Sequence, residues 1–321
     1  MNQYQPVSLG KQEFVEAVDW ISDTQIALGH WMDDGISSLN LRSRKVAPIE
    51  YPPELEGFGF ESFTDRRIFG DSPVKTVLEN PEDDDEYAIA TITRNKKLTL
   101  DTKFRFESGS PTVFQIGKGT LFFADKHYFR LGFIDAKGNI NLREIQLEPS
   151  RKISREETQI LRVWPISASK AVMLRAEDDM HLAAYELSIR GPKCGQCTLL
   201  WKYSAADIND ACCRPKSGSF AVFYTDQETE ANVVMEFSSS GPTTFDYEPD
   251  ASYFNPKPFY VGKQLWYFSS DTSLCRMHTA KQKAVQKYEF EDSVSIRGLR
   301  GSILAVEDHH NEIFRFDLKR I

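Results

Sequence analysis

Short hydrophobic segments, each followed by turn-forming residues, recur along almost the whole chain. They are rich in valine, isoleucine, phenylalanine, tyrosine and threonine, the residues enriched in β-strands. The clearest segments are Gln25–Trp31, Thr120–Ala124, Ala171–Arg175, Ser219–Tyr224, Gln264–Phe268 and Ser302–Val306. A helix needs apolar positions three and four apart over ten or so residues, and only Ser150–Ile160 approaches that pattern. The pattern therefore predicts an all-β protein and excludes folds in which strands alternate with helices.

Acidic residues follow these segments at a regular interval. One member from each repeat gives the series Asp34, Asp84, Asp125, Asp178, Asp226, Asp271 and Asp308. The steps are 50, 41, 53, 48, 45 and 37 residues, with a mean of about 46. A repeat of roughly 40–50 residues built only from strands is typical of a β-propeller with about four strands in each blade. At this spacing the chain of 321 residues accommodates seven blades in one domain, 1–321.

The first and last repeats predict how such a ring closes. In the first, strands are predicted at Phe14–Ile21, Gln25–Trp31, Gly35–Leu41 and Lys45–Tyr51. In the last, the pattern predicts only three strands, at Val294–Leu299, Ser302–Val306 and Glu312–Leu318. A spare apolar stretch, Tyr4–Leu9, precedes the first repeat. We expect this stretch to pair with the last blade as its outer strand, because the pairing removes exposed strand edges.

Over essentially its whole length the chain resembles the seven-bladed, WD40-like propellers, by architecture rather than by motif. WD40 repeats carry Gly-His before the first strand and Trp-Asp at the end of the third. Here the only Gly-His pair is Gly29-His30, at the end of a second strand, and no Trp-Asp occurs. Third strands end in degenerate sequences such as Tyr185-Glu186-Leu187 and Phe316-Asp317-Leu318. The resemblance implies the propeller fold and, by analogy, a rigid scaffold for protein–protein interaction.

Composition narrows the class of partner and the location. The chain has 47 acidic and 39 basic residues, which gives a formal charge of −8. This charge disfavours binding to nucleic acid, because the phosphates attract a basic protein surface. No run approaches the roughly 18 apolar residues of a membrane span, and the N-terminus lacks a signal-peptide pattern. Five cysteines is an odd, low count that indicates thiols in a reducing compartment. We therefore expect a cytoplasmic protein that binds neither membranes nor nucleic acid.

The acidic residues at the strand ends predict a binding surface. In a four-stranded blade, the turns between second and third strands all emerge on one side of the propeller. Charges scattered in the sequence would gather there and steer a basic partner. Aspartate also favours tight turns for local hydrogen bonding, but the cluster Glu82–Glu86 exceeds what one turn needs. The sequence therefore leaves both readings open for the series, and it favours binding at Glu82–Glu86.

Aromatic residues near the same strand ends can anchor a partner, since tryptophan and tyrosine dominate interface hot spots. Most of these aromatics are expected to pack between blades instead. The predicted partner-binding residues are Trp31, Asp33, Asp34, Asp83, Asp84, Asp85, Asp125, Tyr128, Asp178, Asp179, Asp226, Trp266, Asp271 and Asp308. Together they predict a protein partner with basic segments.

Four cysteines form a candidate zinc site, although no cofactor is predicted. Cys194 and Cys197 have C-x-x-C spacing, Cys212-Cys213 follow 15 residues later, and two such pairs can hold a tetrahedral zinc ion. Against this, adjacent side chains point to opposite faces of a strand. Ile208–Arg214 has the pattern of an inner strand, where a cysteine is a small core residue. The segment from Arg190 to Cys197 is interpreted as an exposed turn between blades.

Catalytic motifs are absent from the sequence: it contains no nucleophile elbow, zinc-protease motif or phosphate-binding loop. Four histidines lie near the acidic clusters, namely His127, His181, His309 and His310. They leave open a metal-dependent hydrolase or lactonase-type propeller enzyme that uses channel carboxylates. A sugar- or small-ligand-binding propeller and an acidic inhibitor or immunity-type binder are further alternatives. The sequence favours a scaffold or adaptor that binds a basic or mixed-charge partner on an acidic propeller face.

Overall fold

The computed structural model describes residues 5–12, 15–30, 35–64, 73–106, 111–117, 119–124, 129–135, 137–145, 159–178, 181–204, 207–214, 217–226, 229–238, 241–247, 256–278 and 283–321. The strands in these ranges form seven four-stranded antiparallel sheets, which are the blades of a β-propeller. The predicted fold class is therefore confirmed. Among the described residues, short 3-10 helices lie at Pro53–Leu55 and Leu318–Arg320. Within the described ranges no helix is long and apolar enough to cross a membrane.

Four blades belong to the first of two compact units of the chain. Blade 1 contains β2 (Val15–Ser22), β3 (Gln25–His30), β4 (Ile36–Asn40) and β5 (Val46–Pro48). Blade 2 contains β6 (Gly59–Phe63), β7 (Val74–Asn80), β8 (Asp83–Ile92) and β9 (Leu98–Arg105). Blade 3 contains β10 (Thr112–Gly117), β11 (Thr120–Ala124), β12 (Phe129–Ile134) and β13 (Ile140–Glu144). Blade 7 contains β1 (Val7–Lys11), β26 (Val294–Arg300), β27 (Ile303–Asp308) and β28 (Glu312–Asp317).

The other three blades form the second unit. Blade 4 contains β14 (Gln159–Pro165), β15 (Lys170–Asp178), β16 (His181–Ser188) and β17 (Cys197–Ser204). Blade 5 contains β18 (Asp207–Cys213), β19 (Phe220–Thr225), β20 (Asn232–Ser238) and β21 (Gly241–Asp246). Blade 6 contains β22 (Phe259–Val261), β23 (Gln264–Phe268), β24 (Ser273–His278) and β25 (Lys283–Glu289). The strand order in each of these sheets follows the sequence.

Blade 7 is completed by the N-terminal strand, as the sequence predicts. Its strand order is β1-β28-β27-β26, and Val7 lies opposite Arg315. The strand begins later than predicted, at Val7, and Pro6 lies just outside it. Proline has no N–H to donate to a strand ladder, which accounts for this start. Arg297 then joins blade 7 to blade 1, because its Nη1 donates to the Glu16 carbonyl at 3.2 Å.

The second strand of each blade carries much of the core. In β11 every residue is buried, and in β19 five of the six are buried. Such strands are apolar on both faces because they lie inside a sheet and between neighbouring blades. Blades 1 and 2 approach closely at Gly29, where a Cβ atom would lie 2.1 Å from Cζ of Phe60. The absence of a side chain at Gly29 thus makes room for the Phe60 ring.

Two local predictions have different outcomes. The segment Ile208–Arg214 does supply the inner strand of a blade, since β18 is the first strand of blade 5. The segment from Arg190 to Cys197, in contrast, does not connect blades. It is the turn between β16 and β17 inside blade 4, so that prediction was wrong. Strands β16 and β17 pair directly on either side of this turn, with Leu187 opposite Cys197.

Candidate interaction surface

The described acidic residues of the predicted surface lie at turns between the second and third strands of their blades. Asp83, Asp84 and Asp85 begin β8, Asp226 follows β19, Asp271 lies between β23 and β24, and Asp308 ends β27. Asp178 ends β15, but its side chain is outside the description. Trp31, Asp33, Asp34, Asp125, Tyr128 and Asp179 lie outside the described residues. The binding role of all these residues stays a prediction.

Blade 2 holds a dense group of carboxylates at this turn. We define the blade 2 acidic surface as Glu61, Glu79 and the run Glu82–Glu86. A two-residue turn joins β7 to β8 and brings Glu79 beside Asp84. Glu61 on β6 shares a side-chain hydrogen bond with Glu79. Strand pairing therefore collects carboxylates that are up to 25 positions apart in the chain.

The crowding of negative charge changes the ionisation of Glu79. Its pKa is raised above the ordinary value, first by partial burial, then by the charge and hydrogen bond of Glu61 and by the charge of Asp84. A hydrogen bond with Tyr87 acts in the opposite direction and is the smaller effect. Both burial and nearby like charge disfavour an ionised carboxylate. The blade 2 acidic surface is therefore a region of concentrated negative potential.

Two basic side chains of β9 partly offset this charge. Arg105 forms a two-pronged pair with Asp83, with Nη1–Oδ2 and Nη2–Oδ1 distances of 2.9 and 3.0 Å. Arg105 Nη2 also lies 4.0 Å from Asp85 Oδ2, and Lys103 Nζ lies 3.9 Å from Glu86 Oε1. These pairs are largely exposed and contribute little to stability. Asp84 takes no part in these pairs. Within the described part of the chain, its exposed carboxylate forms no hydrogen bond or ion pair.

Other turns in the same position use their aspartate locally. The Asp308 Oδ1 atom accepts hydrogen bonds from the backbone N–H groups of His310 and Glu312, each at 2.9 Å. The Asp226 Oδ1 atom accepts from the N–H and the hydroxyl of Thr229, also at 2.9 Å. These are the turn-forming bonds for which aspartate is favoured at such sites. At Asp308 and Asp226 the local explanation of the acidic series therefore has direct support.

Trp266 does not lie on the surface where the sequence predicts it. The side chain is on β23 and is only 1% exposed. Its ring lies 5.7 Å from the guanidinium carbon of Arg276 on the paired strand. Hydrophobic burial explains the placement, since β23 is apolar on both faces. This burial removes Trp266 from the predicted set of surface anchors.

The four candidate zinc ligands lie in blades 4 and 5. Cys194 is in the turn before β17, Cys197 begins β17, and Cys212-Cys213 end β18. All are thiols, and Cys212 is buried against Phe223 and Tyr260. Among the described side chains, no group of three or more metal-ligating atoms includes a cysteine. The packing of Cys212 supports its interpretation as a small core residue, and zinc binding stays a prediction.

Three of the four candidate histidines lie in the described part of the chain. His309 and His310 follow Asp308 with exposed rings whose centroids are 3.7 Å apart. His127 lies outside the described residues, and His181 begins β16 in the second unit. The enzyme alternative stays a prediction.

Glu61 and Glu79 are missing from the predicted set. Both are single acidic residues inside apolar strands, and neither belongs to a charge run. Their proximity depends on the pairing of β6 with β7, which contains a bulge between Phe60 and Ser62. A bulge reverses the face on which the following side chains lie. Only knowledge of that register could have placed Glu61 beside Glu79.

Comparison with solved structures supports the fold. A catalytically inactive virginiamycin B lyase from Staphylococcus aureus, with quinupristin, is 15% identical, with a TM-score of 0.53 over 98% of this chain and 100% of that one. The Myceliophthora thermophila Cps50 (Swd1) β-propeller domain is 8% identical, with a TM-score of 0.61 over 95% and 97%. A Dos1 propeller is 12% identical, with a TM-score of 0.54 over 98% and 95%.

These similarities concern architecture only, because all three identities are far below the level that carries function. One of these three structures is a lyase, and the names of the other two state only that they are propellers. Such variety is expected of a fold that hosts many functions. No protein-family model and no curated protein sequence matches the chain. The fold is therefore that of a seven-bladed β-propeller, and the similarities carry no function over to this chain.

Proposed function

We propose that this protein is an interaction scaffold or adaptor that receives a basic or mixed-charge segment of a partner protein on the blade 2 acidic surface. One observation supports this most strongly. Asp84 is exposed among several other carboxylates, yet it forms no hydrogen bond or ion pair with any described residue. A turn does not need such a group, so its charge is available to a partner.

The physics of the surface favours a cationic ligand. The raised pKa of Glu79 indicates that its ionised form is disfavoured in the protein alone. A lysine or arginine of the partner would relieve the repulsion among Glu61, Glu79 and Asp84. Such complementarity raises association rates and selects against acidic partners more than it adds affinity. The surface is thus suited to recognition of a basic segment by charge.

The same charge argues for a protein partner rather than nucleic acid. A phosphate backbone would meet repulsion at this surface, whereas basic peptide segments would be attracted. We retain the cytoplasm as the proposed location, since the described cysteines are thiols. We also retain a single functional domain, 1–321, as part of the proposal.

Affinity purification from the source cells with two matched variants tests this function. Asp84→Lys reverses a charge on the blade 2 acidic surface. Asp23→Lys makes the same change at another exposed position. Asp23 lies in the turn between β2 and β3, at the end of blade 1 opposite its turn between second and third strands. Proteins with basic segments should be recovered with the wild type and with Asp23→Lys, and at least tenfold less with Asp84→Lys. Equal recovery with both variants, at unchanged thermal midpoints, would reject the surface.

A further inference from the structure

A narrow aromatic cleft lies between blades 4 and 5, in the second unit. Trp201 and Tyr203 of β17 form one wall, and Ile208 and Tyr224 belong to the other. Leu182 and Met235 complete an apolar lining. The cavity itself measures about 10 Å³, the space of roughly one water molecule, and it opens to the surface at its mouth. No sequence motif marks this feature, because its two walls come from different blades.

The three aromatic rings at the cleft lie close together. Trp201 and Tyr203 are two positions apart on one strand face, with centroids 5.6 Å apart and planes inclined by 10°. The centroids of Tyr203 and Tyr224 are also 5.6 Å apart, at 53°. Trp201 and Tyr203 are partly exposed, while Tyr224 is buried. Lys202, between the first two, points to the opposite face because strand side chains alternate.

The carboxylate of Asp226 lies near the mouth of the cleft. Asp226 directly follows β19, which carries Tyr224, and its side chain is held by Thr229. Burial, the Tyr203 hydroxyl and the charge of Asp226 together raise the pKa of Tyr224, so the carboxylate acts on this ring. The Tyr224 hydroxyl donates to the Tyr203 hydroxyl at 3.4 Å. Negative charge and aromatic faces therefore meet at one place.

We propose that this cleft binds the methylated ammonium group of a lysine side chain in a partner protein. Cations over the faces of tryptophan and tyrosine are attracted by the ring quadrupole, and aromatic cages recognise quaternary ammonium ligands in this way. Asp226 adds a carboxylate close to Tyr224. The cleft is too narrow to enclose the group, so the cation stacks on Trp201 and Tyr203 at the mouth.

The lining selects a methylated ammonium over an unmodified one. An unmodified lysine is strongly hydrated and needs acceptors for three N–H donors. The cleft offers mostly apolar side chains, and its two tyrosine hydroxyls already bond to each other. Methyl groups, in contrast, gain from contact with the partly exposed rings of Trp201 and Tyr203 at the mouth.

Calorimetric titration of the full chain with small ligands tests the proposal. The probe is N-acetyl-trimethyllysine methylamide, and its neutral isostere carries a tert-butyl group in place of the trimethylammonium. We expect saturable binding of the charged probe, with at least tenfold weaker binding of the isostere and of the unmodified lysine derivative. Equal binding of probe and isostere, or no saturable binding of the probe, would overturn the proposal. Choline that binds as tightly as the probe would also overturn it, in favour of a free ligand.

Two substitutions at one position locate the cation. Tyr203→Leu removes the ring and should weaken probe binding about tenfold, whereas Tyr203→Phe keeps the ring and should stay within about threefold of the wild type. Asp226→Asn keeps an acceptor for Thr229 and should weaken binding severalfold. Unchanged binding in Tyr203→Leu would contradict the assignment. Thermal midpoints of all variants verify that the blades are intact.

The test separates this inference from the proposed function. Asp84→Lys on the blade 2 acidic surface should leave probe binding unchanged. Loss of probe binding in Asp84→Lys but not in Tyr203→Leu would place the cation in blade 2 and overturn the cleft. Failure of the probe to bind, with recovery of partners still dependent on Asp84, would reject the cleft alone.

Discussion

The turns between second and third strands in blades 2 and 7 occupy equivalent positions but use their acidic residues differently. In blade 7, Asp308 accepts two backbone hydrogen bonds and thereby shapes the turn. In blade 2, the Oδ1 atom of Asn80 accepts the N–H of Glu82 at 3.0 Å and performs the equivalent task. Asp84 has no such role within the described residues. The contrast therefore favours partner binding at Asp84 over Asp308, because Asn80 already shapes the blade 2 turn.

Among the predictions that test this comparison, the largest effect is a loss of stability on substitution of Gly29. A Cβ atom at Gly29 would overlap the ring of Phe60, the residue before Glu61. Gly29→Ala should therefore destabilise the fold by about 1–3 kcal/mol, as overpacking typically does, and should displace β6 from blade 1. Gly59→Ala is the matched control, because a Cβ there meets nothing within 4 Å. Urea unfolding measures both; equal stabilities would contradict the close packing of blades 1 and 2.

The next effect concerns binding of a lysine-rich peptide and its dependence on salt. Asp84→Lys should weaken the affinity about tenfold, or roughly 1.4 kcal/mol, and should flatten its decrease with ionic strength. Asp308→Asn should retain wild-type affinity, because its carboxylate serves the turn. Titration calorimetry at low and moderate salt distinguishes the two. A tenfold loss in Asp308→Asn would show that both turns bind, and would end the contrast.

A smaller effect is expected on stability at the blade 7 turn. Asp308→Ala removes an acceptor for the N–H groups of His310 and Glu312. The loss should be about 1 kcal/mol in the free energy of unfolding, comparable with the loss of a helix cap. Asp84→Ala should cost nothing, because it relieves repulsion with Glu79. Chemical denaturation of the two variants gives the answer, and similar losses would mean that Asp84 also has a structural role.

The smallest effect is the pH dependence at Glu79. Its pKa is higher in the folded protein than in an unfolded chain, because of burial, Glu61 and Asp84. Its protonated form thus favours folding: this contribution is present below the ordinary glutamate range and is lost as pH rises through the folded pKa. Glu79→Gln should therefore be more stable than the wild type at neutral pH, with no difference in acid.

Glu61, the carboxylate beside Glu79, supplies the control for this prediction. In Glu61→Gln the pKa of Glu79 should move back towards its ordinary value, and NMR titration of the Glu79 carboxyl carbon would record the shift. An unchanged pKa would mean that burial and Asp84 raise it without a contribution from Glu61.

The fold followed from the sequence because its determinants are local and repeated. Strands of blade 1 are predicted to within a few residues, since alternating apolar runs and turns mark their ends. The outer strand of blade 7 followed from counting, because the last repeat lacks a fourth strand. The first strand of blade 2, β6, has no sequence prediction of its own, yet the repeat spacing leaves room for it. Repetition thus made up for weak signals in single blades.

The interaction surfaces were less predictable because they depend on distant pairing. The acidic run Glu82–Glu86 was visible, whereas the contribution of Glu61 required the bulged register of β6. Trp266 was placed on the surface because an aromatic at a strand end resembles an anchor, but burial on both faces decides its role. The cleft at Trp201 and Tyr203 arises from two neighbouring blades, so no short motif could reveal it.

Amide hydrogen exchange of the protein with and without a lysine-rich peptide tests the central claim most directly. The account predicts that added protection appears in β8 at Asp83–Glu86 and is absent from the turn between Asp308 and Glu312. Loss of that protection in Asp84→Lys would confirm the role of charge. Protection confined to the Asp308 turn, or no protection in either turn while the peptide is bound, would contradict the account.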